Sequence, residues 1–284
     1  MNNLLNFSKM QALGNDFMVI NTINQHLIPN PQQIRRLSDR HLGIGFDQLL
    51  IISPSLKPEF DFFYQIFNAN GEEVGQCGNG ARCAAFYIFK YLKPKKELRL
   101  QTKTTTMHLK IIDNHQVELT LPRPELDPHK IPLQGFQQQA SYTLDAIDIH
   151  AISVGNPHAI IVVNDNLEQM DIETIGKQIE HHPAFPERTN VNFMQILNEK
   201  TIALRVWERG CGETRACGSG ALASAAIARL FYQLHSHIEV KLPGGTLWID
   251  WPDIKGPIKL TGPAFESYTG QVSMLFEDQS DLRS

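Results

Sequence analysis

The sequence predicts an α+β fold made of two pseudo-symmetric halves, and three observations lead to this prediction. The chain has 284 residues, a length that suits one large domain or two medium ones. The tetrapeptide Cys-Gly-Asn-Gly that starts at Cys77 returns as Cys-Gly-Ser-Gly from Cys217, about half a chain later. A strand-like segment precedes each copy and leads to Asn68 in the first half and to Glu208 in the second, nine residues before the cysteine in both.

Further markers repeat in the same order. Glu73 and Glu213 each lie four residues before their cysteine. Far upstream, Asn15 and Asn156 each follow a glycine and lead into an apolar segment, at nearly the same distance from the two cysteines. Several markers in one order at nearly one spacing indicate two copies of one α/β unit, joined near residues 121–124.

The strands of this unit are predicted from short runs rich in β-branched and aromatic residues, bounded by turn residues. In chain order, the predicted strands are residues 16–21, 48–53, 63–67, 98–101, 108–112, 117–121, 152–153, 159–163, 202–207, 238–241, 246–249 and 258–261.

Each cysteine motif opens a predicted helix, residues 79–91 in the first half and 219–233 in the second. Lys93-Pro94 ends the first helix, because a residue before proline disfavours the helical conformation. Both helices are apolar nearly all round at their starts, which is typical of buried helices, so each is expected to run through the middle of its own sheet. Residues 34–40 and 170–181 are predicted to form outer amphipathic helices.

Composition and charge exclude several classes of function. Lys and Arg number 26 against 30 Asp and Glu, so the chain lacks the basic surface of a nucleic-acid binder. No apolar run approaches the roughly 20 residues that span a bilayer, and the first residues do not resemble a secretory signal. We therefore expect a soluble cytoplasmic protein without nucleic-acid or membrane partners.

The four cysteines do not form a disulfide framework or a zinc motif. Cys77 and Cys83 are spaced C-x5-C, as are Cys211 and Cys217, and no histidine pair follows at ligand spacing. Rossmann and P-loop fingerprints are also missing. The expectation is a protein with no metal and no cofactor, in which Cys83 and Cys211 are structural.

The repeated thiols suggest a reaction. A cysteine at a helix N-terminus meets unpaired backbone N–H groups and the positive end of the helix dipole, which favours the thiolate and also binds carboxylates. If the halves are related by a pseudo-two-fold axis, Cys77 and Cys217 would meet opposite faces of one carbon. One thiol would remove a proton and the other would deliver one, which inverts a stereocentre.

At this point the chain resembles the diaminopimelate epimerase family. The matching stretches are collinear and cover roughly residues 5–275, and they include residues 14–17, 45–48, 76–83, 155–158, 190–193, 208–220, 242–245 and 261–264. The resemblance implies conversion of LL-2,6-diaminopimelate to the meso form, for lysine and peptidoglycan precursor synthesis, without pyridoxal phosphate or metal. It implies a mixed sheet curled into a barrel around a central helix in each domain, and a homodimer.

The resemblance also implies domain bounds and site residues. The domains are expected at residues 1–120 and 121–264, with residues 265–284 returning to the first. Cys77 and Cys217 match the catalytic thiols, and Tyr268 matches a position at the dimer contact. The matched substrate-binding positions are Asn15, Gln48, Asn68, Gly78, Asn79, Asn156, Asn192, Glu208, Arg209, Gly218 and Ser219. His158 and Glu208 match positions that tune the pKa of the thiols.

One stretch departs from the family pattern, which reads Asn-x-Asp-Gly-Ser before the first cysteine. Here Asn68 is kept, but Asn70 replaces the aspartate and Glu72 replaces the serine. Two alternatives remain open at the level of the sequence. A proline or hydroxyproline racemase would have a site too small or too apolar for a distal ammonium and carboxylate. A thiol-based redox sensor or metal-binding module would bind metal or change its partner on oxidation.

Overall fold

The computed structural model describes residues 4–75, 77–113, 115–164 and 166–274. The chain divides into two compact units. The first runs to Ile111 and takes up the chain again from Ala264, and the second comprises residues 112–263. The expected boundary lay at 120/121, but residues 116–121 form a strand that pairs with Ile258–Pro263 in the second unit. Of the expected C-terminal segment, residues 275–284 lie outside the described residues.

The described residues contain four α-helices and eighteen strands. The helices are α1 (Pro31–Ser38), α2 (Gly78–Tyr91), α3 (Ile172–Glu180) and α4 (Gly218–Phe231). The strands of the first unit are β1 (Leu4–Ala12), β2 (Asn15–Asn21), β3 (Gln48–Pro54), β4 (Phe62–Asn68), β5 (Glu73–Val74), β6 (Glu97–Gln101), β7 (Thr106–Ile111) and β18 (Phe265–Ser273). Those of the second unit are β8 (Gln116–Leu121), β9 (Tyr142–Leu144), β10 (Ile147–Ser153), β11 (Pro157–Val162), β12 (Asn190–Asn198), β13 (Thr201–Glu208), β14 (Gly212–Thr214), β15 (His237–Leu242), β16 (Gly245–Asp250) and β17 (Ile258–Pro263).

The first unit is a mixed sheet around α2. Its strands run β18-β1-β2-β3-β4-β6-β7, with parallel pairs β2–β3 and β4–β6 and antiparallel pairs elsewhere. The short β5 folds back on the end of β4. Helix α2 contacts β1, β2, β3 and β7, so it touches strands near both ends of this order. The sheet therefore curls around the helix.

The second unit repeats this succession. Strands β10 to β13 have the same antiparallel, parallel, antiparallel pairings as β1 to β4, and β13 then pairs parallel with β15 as β4 does with β6. The short β14 folds back on β13, as β5 does on β4. Strand β9 pairs with β10, while β16, β17 and β8 continue the sheet from β15. Helix α4 contacts β10 to β13 and β15 to β17.

Small residues make the central position of α4 possible. From Ala221 to Ala228 every residue of α4 is buried, and most are alanine or serine. Helix α2 is buried from Asn79 to Ile88 in the same way. A helix without a polar face is stable only when protein surrounds it, and small side chains let the strands approach closely. The α+β fold with a mixed sheet around a central helix in each half, predicted from the sequence, is confirmed.

The predicted helices and the twelve predicted strands all correspond to observed elements, and six further strands are observed. Strands β1, β5, β9, β12, β14 and β18 were not predicted, and β18 is exposed along most of its length, so it has no apolar alternation to detect. Helix α1 begins earlier than predicted, because Asn30 and Gln33 form a capping box and Pro31 occupies the first turn. The longest helices among the described residues have 14 residues, and none has the length and apolar character to cross a bilayer.

Candidate active site

Each repeated cysteine is the N-cap of the central helix in its unit. Cys77 and Cys217 have extended backbone, with φ of −151° and −123°, and both have ψ of 113°. In each, Sγ accepts a hydrogen bond of 3.4 Å from the backbone N–H three residues on, that of Gly80 or Gly220. The sulfur thus occupies the place that a serine or aspartate oxygen takes in an ordinary helix cap. Gly78 and Gly218 are the first helical residues, and because glycine has no Cβ, neither has a side chain that could cover the backbone next to its cysteine.

In the first unit, Asn15 and Asn79 flank the thiol of Cys77. The thiol donates to Oδ1 of Asn15 at 3.9 Å, and Nδ2 of Asn79 donates to the same oxygen at 3.5 Å. Asn15 is the first residue of β2 and Asn79 lies in the first turn of α2. The curled sheet of the first unit therefore places the amide side chain at the start of β2 against the first turn of α2.

Asp47 orients the Asn15 amide. Its Oδ2 accepts from Nδ2 of Asn15 at 2.9 Å and from the backbone N–H of Asp16 at 3.0 Å. Arg40 donates to Asp16 and to Asp47, and this pairing holds the pKa of Asp16 far below its usual value despite partial burial. Because the donor end of the amide faces Asp47, the acceptor end faces Cys77.

Gln48 and Asn68 are cross-strand neighbours in the same unit. They face each other in the β3–β4 register, and Nε2 of Gln48 donates to Oδ1 of Asn68 at 2.9 Å. Oε1 of Gln48 is buried and has no hydrogen-bond partner among the described residues. A buried amide oxygen without a donor is costly, and it can be satisfied by an ammonium or N–H group of a ligand.

The loop that departs from the family pattern forms a closed turn. Glu72 donates its N–H to Oδ1 of Asn70 at 2.9 Å, and Nδ2 of Asn70 donates to the Glu72 carboxylate at 2.9 Å. Gly71 has φ of +85°, and a Cβ there would lie 2.8 Å from backbone atoms of Pro31. Asn70 keeps the turn and pairs with the new carboxylate, so the two replacements compensate each other locally.

In the second unit, the thiol of Cys217 is buried and touches two polar side chains. The hydroxyl of Ser219 lies 3.4 Å from Sγ, and the thiol donates a hydrogen bond to the carboxylate of Glu208. Burial raises the pKa of Cys217 well above its ordinary value, and the nearby Glu208 raises it further. Cys217 is therefore a neutral thiol at pH 7.

Glu208 ends β13 and is partly buried. Burial raises the pKa of Glu208, while hydrogen bonds from Thr214 at 2.6 Å and from Cys217 oppose that shift. The carboxylate is thus held beside the thiol by one hydroxyl, and its position corresponds to that of Asn68 in the first unit.

His158 reaches the second thiol through a chain of neutral side chains. Its Nδ1 accepts from Nδ2 of Asn192 at 2.9 Å, and its Nε2 donates to Oδ1 of Asn156 at 3.2 Å. Nδ2 of Asn156 in turn donates to the hydroxyl of Ser219 at 3.3 Å. Burial lowers the pKa of His158 to about 3, so the ring is neutral, and it orients Asn156 and Ser219 rather than supplying a charge.

Arg209 is exposed and held at two points. Nη1 donates to the carbonyl of Glu187 at 2.9 Å, and its backbone N–H donates to Oδ1 of Asn190 at 3.1 Å. Asn190 is buried and also donates through Nδ2 to the carbonyl of Pro157 at 2.9 Å. One asparagine therefore ties the segment that carries Asn156 and His158 to the segment that carries Arg209.

Tyr268 lies on β18, where it pairs in register with Lys9. Its ring packs edge-on against Phe7, with centroids 6.0 Å apart, and nearly half of the residue is exposed. The position is a surface of the first unit.

The predicted residues therefore fall into two half-sites. In the first unit the structure joins Asn15, Cys77 and Asn79 by contact and Gln48 to Asn68. In the second it joins Cys217 to Ser219, Asn156, His158, Asn192 and Glu208. Site residues that the sequence did not single out are Asp47, Asn190 and Arg82, whose Nη2 donates to Oδ1 of Asn79 at 2.9 Å. Asn190 occupies the place that Gln48 has in the first unit, because the β11–β12 pair His158↔Asn190 matches the β2–β3 pair Phe17↔Gln48, and this match becomes visible only in the strand register.

No group of three or more metal-ligating side chains occurs among the described residues. What both half-sites hold is a thiol at a helix start, backbone amides for an anion, and neutral amide side chains. Such an arrangement can move a proton to or from a carbon that bears a carboxylate.

Solved structures define the class of fold. A phenazine biosynthesis protein of the PhzF family from Bacillus anthracis matches with a TM-score of 0.67 at 14% identity, covering 95% of this chain and 99% of the other. A hydroxyproline epimerase from Agrobacterium vitis matches with a TM-score of 0.66 at 14% identity, covering 96% and 93%. The chain thus has the fold of the proline racemase and PhzF-like epimerases.

Sequence relatives define the family. The family model of diaminopimelate epimerase matches residues 7–124 and 150–274. A diaminopimelate epimerase of Legionella pneumophila is 51% identical over 272 residues, covering 94% of this chain and 98% of the relative. One from Ectopseudomonas mendocina is 46% identical over 276 residues, covering 95% and 100%. The chain belongs to the diaminopimelate epimerase family, and the resemblance seen in the sequence is confirmed.

Proposed function

We propose that this protein epimerises LL-2,6-diaminopimelate to meso-diaminopimelate without a cofactor. The observation that carries the proposal is the pair of cysteines that each cap a central helix, in a chain of the diaminopimelate epimerase family. Each helix start offers a sulfur and a set of backbone amides at the same place. The two sulfurs can therefore serve a reaction that needs one proton acceptor and one proton donor.

In the proposed mechanism, Cys77 and Cys217 act on opposite faces of one α-carbon. A thiolate removes the α-proton, and the electron pair left on carbon delocalises into the substrate carboxylate. The amides that begin α2 and α4 stabilise the charge that develops on the carboxylate oxygens. The second thiol then delivers its proton to the other face, so that one sulfur gains the proton that the other loses.

The remaining polar residues are assigned to the substrate's ammonium and carboxylate groups. Neutral amides can accept from an ammonium and donate to a carboxylate, which suits Asn15, Gln48 and Asn68 in one half-site and Asn156 and Asn192 in the other. The unsatisfied buried oxygens of Gln48 and Asn192 support a role in binding a donor group. Arg209 is assigned to the non-reacting carboxylate.

The test is incubation of purified protein with LL-diaminopimelate in deuterated water. The proposal predicts that deuterium enters the α-carbon while the meso form appears. Cys77→Ala and Cys217→Ala are each expected to abolish net epimerisation, while Cys211→Ser, a change at the exposed cysteine, serves as the control with activity retained. Absence of deuterium from product, or turnover by either alanine variant at the normal rate, would refute the proposal.

Three attributes accompany this function. Activity is proposed to survive dialysis against chelator and treatment with carbonyl reagents, and a loss restored by zinc or pyridoxal phosphate would contradict cofactor independence. The protein is proposed to act in the cytoplasm as a homodimer whose contact includes Tyr268. Sedimentation of the purified chain and of Tyr268→Glu tests the dimer, because a buried charge at that contact should shift the distribution toward monomer.

A further inference from the structure

The two half-sites differ in charge although their folds repeat. At corresponding positions of the repeat, the first half has Asn68, Arg82 and Tyr64, and the second half has Glu208, Leu222 and Leu204, respectively. The first half-site therefore contains a buried cation where the second has leucine. The second contains a partly buried acid where the first has a neutral amide.

Arg82 lies inside the first half-site. The residue is 0% exposed, in the second turn of the helix that Cys77 caps. Its Nη2 donates to Oδ1 of Asn79 at 2.9 Å, and Asn79 reaches the same Asn15 oxygen that accepts from Cys77. A guanidinium thus holds the side chain that flanks the thiol.

The charge of Arg82 persists at pH 7 and acts on Cys77. Burial lowers the pKa of Arg82 to about 10, and the interactions with Cys83 and Cys77 oppose that shift. Among the described residues, Tyr64 from β4 and Cys83 from α2 also interact electrostatically with Cys77. Burial raises the pKa of both, so both are neutral at pH 7, and the charge that Cys77 meets from these three groups is positive.

We propose that Arg82 is a positioning residue that favours ionisation of Cys77 over that of Cys217, so that Cys77 gives up the proton it shares with Asn15 first and Cys217 stays a thiol. Arg82 does this in two ways, through its charge in a water-excluded setting and through its hold on Asn79. The greater exposure of Cys77 favours the same assignment, because desolvation penalises a thiolate less there than at the buried Cys217. The proposal deepens the proposed function by naming which thiol is the base for the first proton.

The test measures each thiol without substrate, so its result is independent of whether the protein epimerises diaminopimelate. The Cys211→Ser protein is alkylated with iodoacetamide from pH 5 to 11, and peptide mass mapping follows Cys77 and Cys217 separately. The readout is the pH at which each thiol reaches half of its maximal rate, because that midpoint reports ionisation and the maximal rate reports access. In the unaltered site, Cys77 is expected to have the lower midpoint.

Two substitutions separate charge from hydrogen bonding. Arg82→Gln removes the charge but keeps a donor for Asn79, and it is expected to cut the alkylation rate of Cys77 at neutral pH about tenfold or more while the rate at high pH is unchanged. Arg82→Lys keeps the charge and is expected to restore most of that rate. Phe86→Leu, a buried change on the same helix, controls for loosened packing and should leave the midpoint of Cys77 unchanged.

Two results would overturn the proposal. One is a Cys77 midpoint at or above that of Cys217 in the unaltered site, a measurement that needs no folded variant. The other is a folded Arg82→Gln protein, by circular dichroism, whose Cys77 midpoint equals that of the parent. In turnover assays, the acid limb of kcat/KM should move to higher pH in Arg82→Gln, which a structural role alone would not produce.

Discussion

Replacing Asn190 by alanine is expected to lower the free energy of unfolding by about 1.5–4.5 kcal/mol. Asn190 is 4% exposed and makes two hydrogen bonds to backbone, to the carbonyl of Pro157 and to the N–H of Arg209. Pro157 is buried, so its carbonyl would be left unsatisfied at a cost of about 1–3 kcal/mol. Arg209 is exposed, so water can replace the lost acceptor and the second loss is about 0.5–1.5 kcal/mol.

The assay is urea denaturation followed by circular dichroism, with the change in free energy taken from the shift in midpoint. Asn198→Ala is the matched control, because Asn198 ends the same strand, is exposed and caps a local turn by accepting from Lys200. That control is expected to cost less than about 1 kcal/mol. If Asn190→Ala and Asn198→Ala destabilise equally, the reasoning from buried backbone partners is wrong.

Three other predictions concern chemistry. Burial raises the pKa of Glu208, so the folded state binds the Glu208 proton more tightly than the unfolded state does, and the free energy of unfolding falls as pH rises from about 4.5 toward the raised pKa. Glu208→Gln should abolish that fall when denaturation is measured across this pH range. A variant with the same pH profile as the parent would contradict the burial of a charge at Glu208. Arg209→Lys should weaken substrate binding by about 1–3 kcal/mol because the bidentate fork is lost, and brisk racemisation of free lysine would argue against a distal carboxylate contact. Mild oxidant should join Cys77 to Cys217 reversibly, with protection by substrate, whereas a peptide map showing Cys77 joined to Cys83 would be inconsistent with thiols that act on one carbon.

Much of the fold was accessible from the sequence because the chain states its pattern twice. Short sequence patterns predict the paired Cys-Gly-x-Gly motifs, the strands before them and the apolar helices after them, because these are local features. The order and direction of the strands are not local. Strand β1 pairs with β18 from the other end of the chain, and no sequence pattern within either strand predicts this pairing.

The candidate site divides in the same way. Cys77 and Cys217 were identifiable from residue type and position at a helix start, since glycines and helix ends leave a clear signature. Asp47, Arg82 and Asn190 were not, because an aspartate, an arginine or an asparagine is ordinary until tertiary contacts show what its hydrogen bonds hold. Asn190 acquires a role only when β11 and β12 lie side by side and bring Pro157 within its reach.

The protonation states of the site residues are determined by the tertiary structure more than by the sequence. The sequence alone predicts two similar thiols, each favoured as a thiolate by a helix dipole. In the folded chain, desolvation and Glu208 raise the pKa of Cys217, and burial of His158 leaves its ring uncharged. The reason is physical: residue type sets the intrinsic pKa, but the free energy of a charge depends on the water and the charges around it, and only packing determines those.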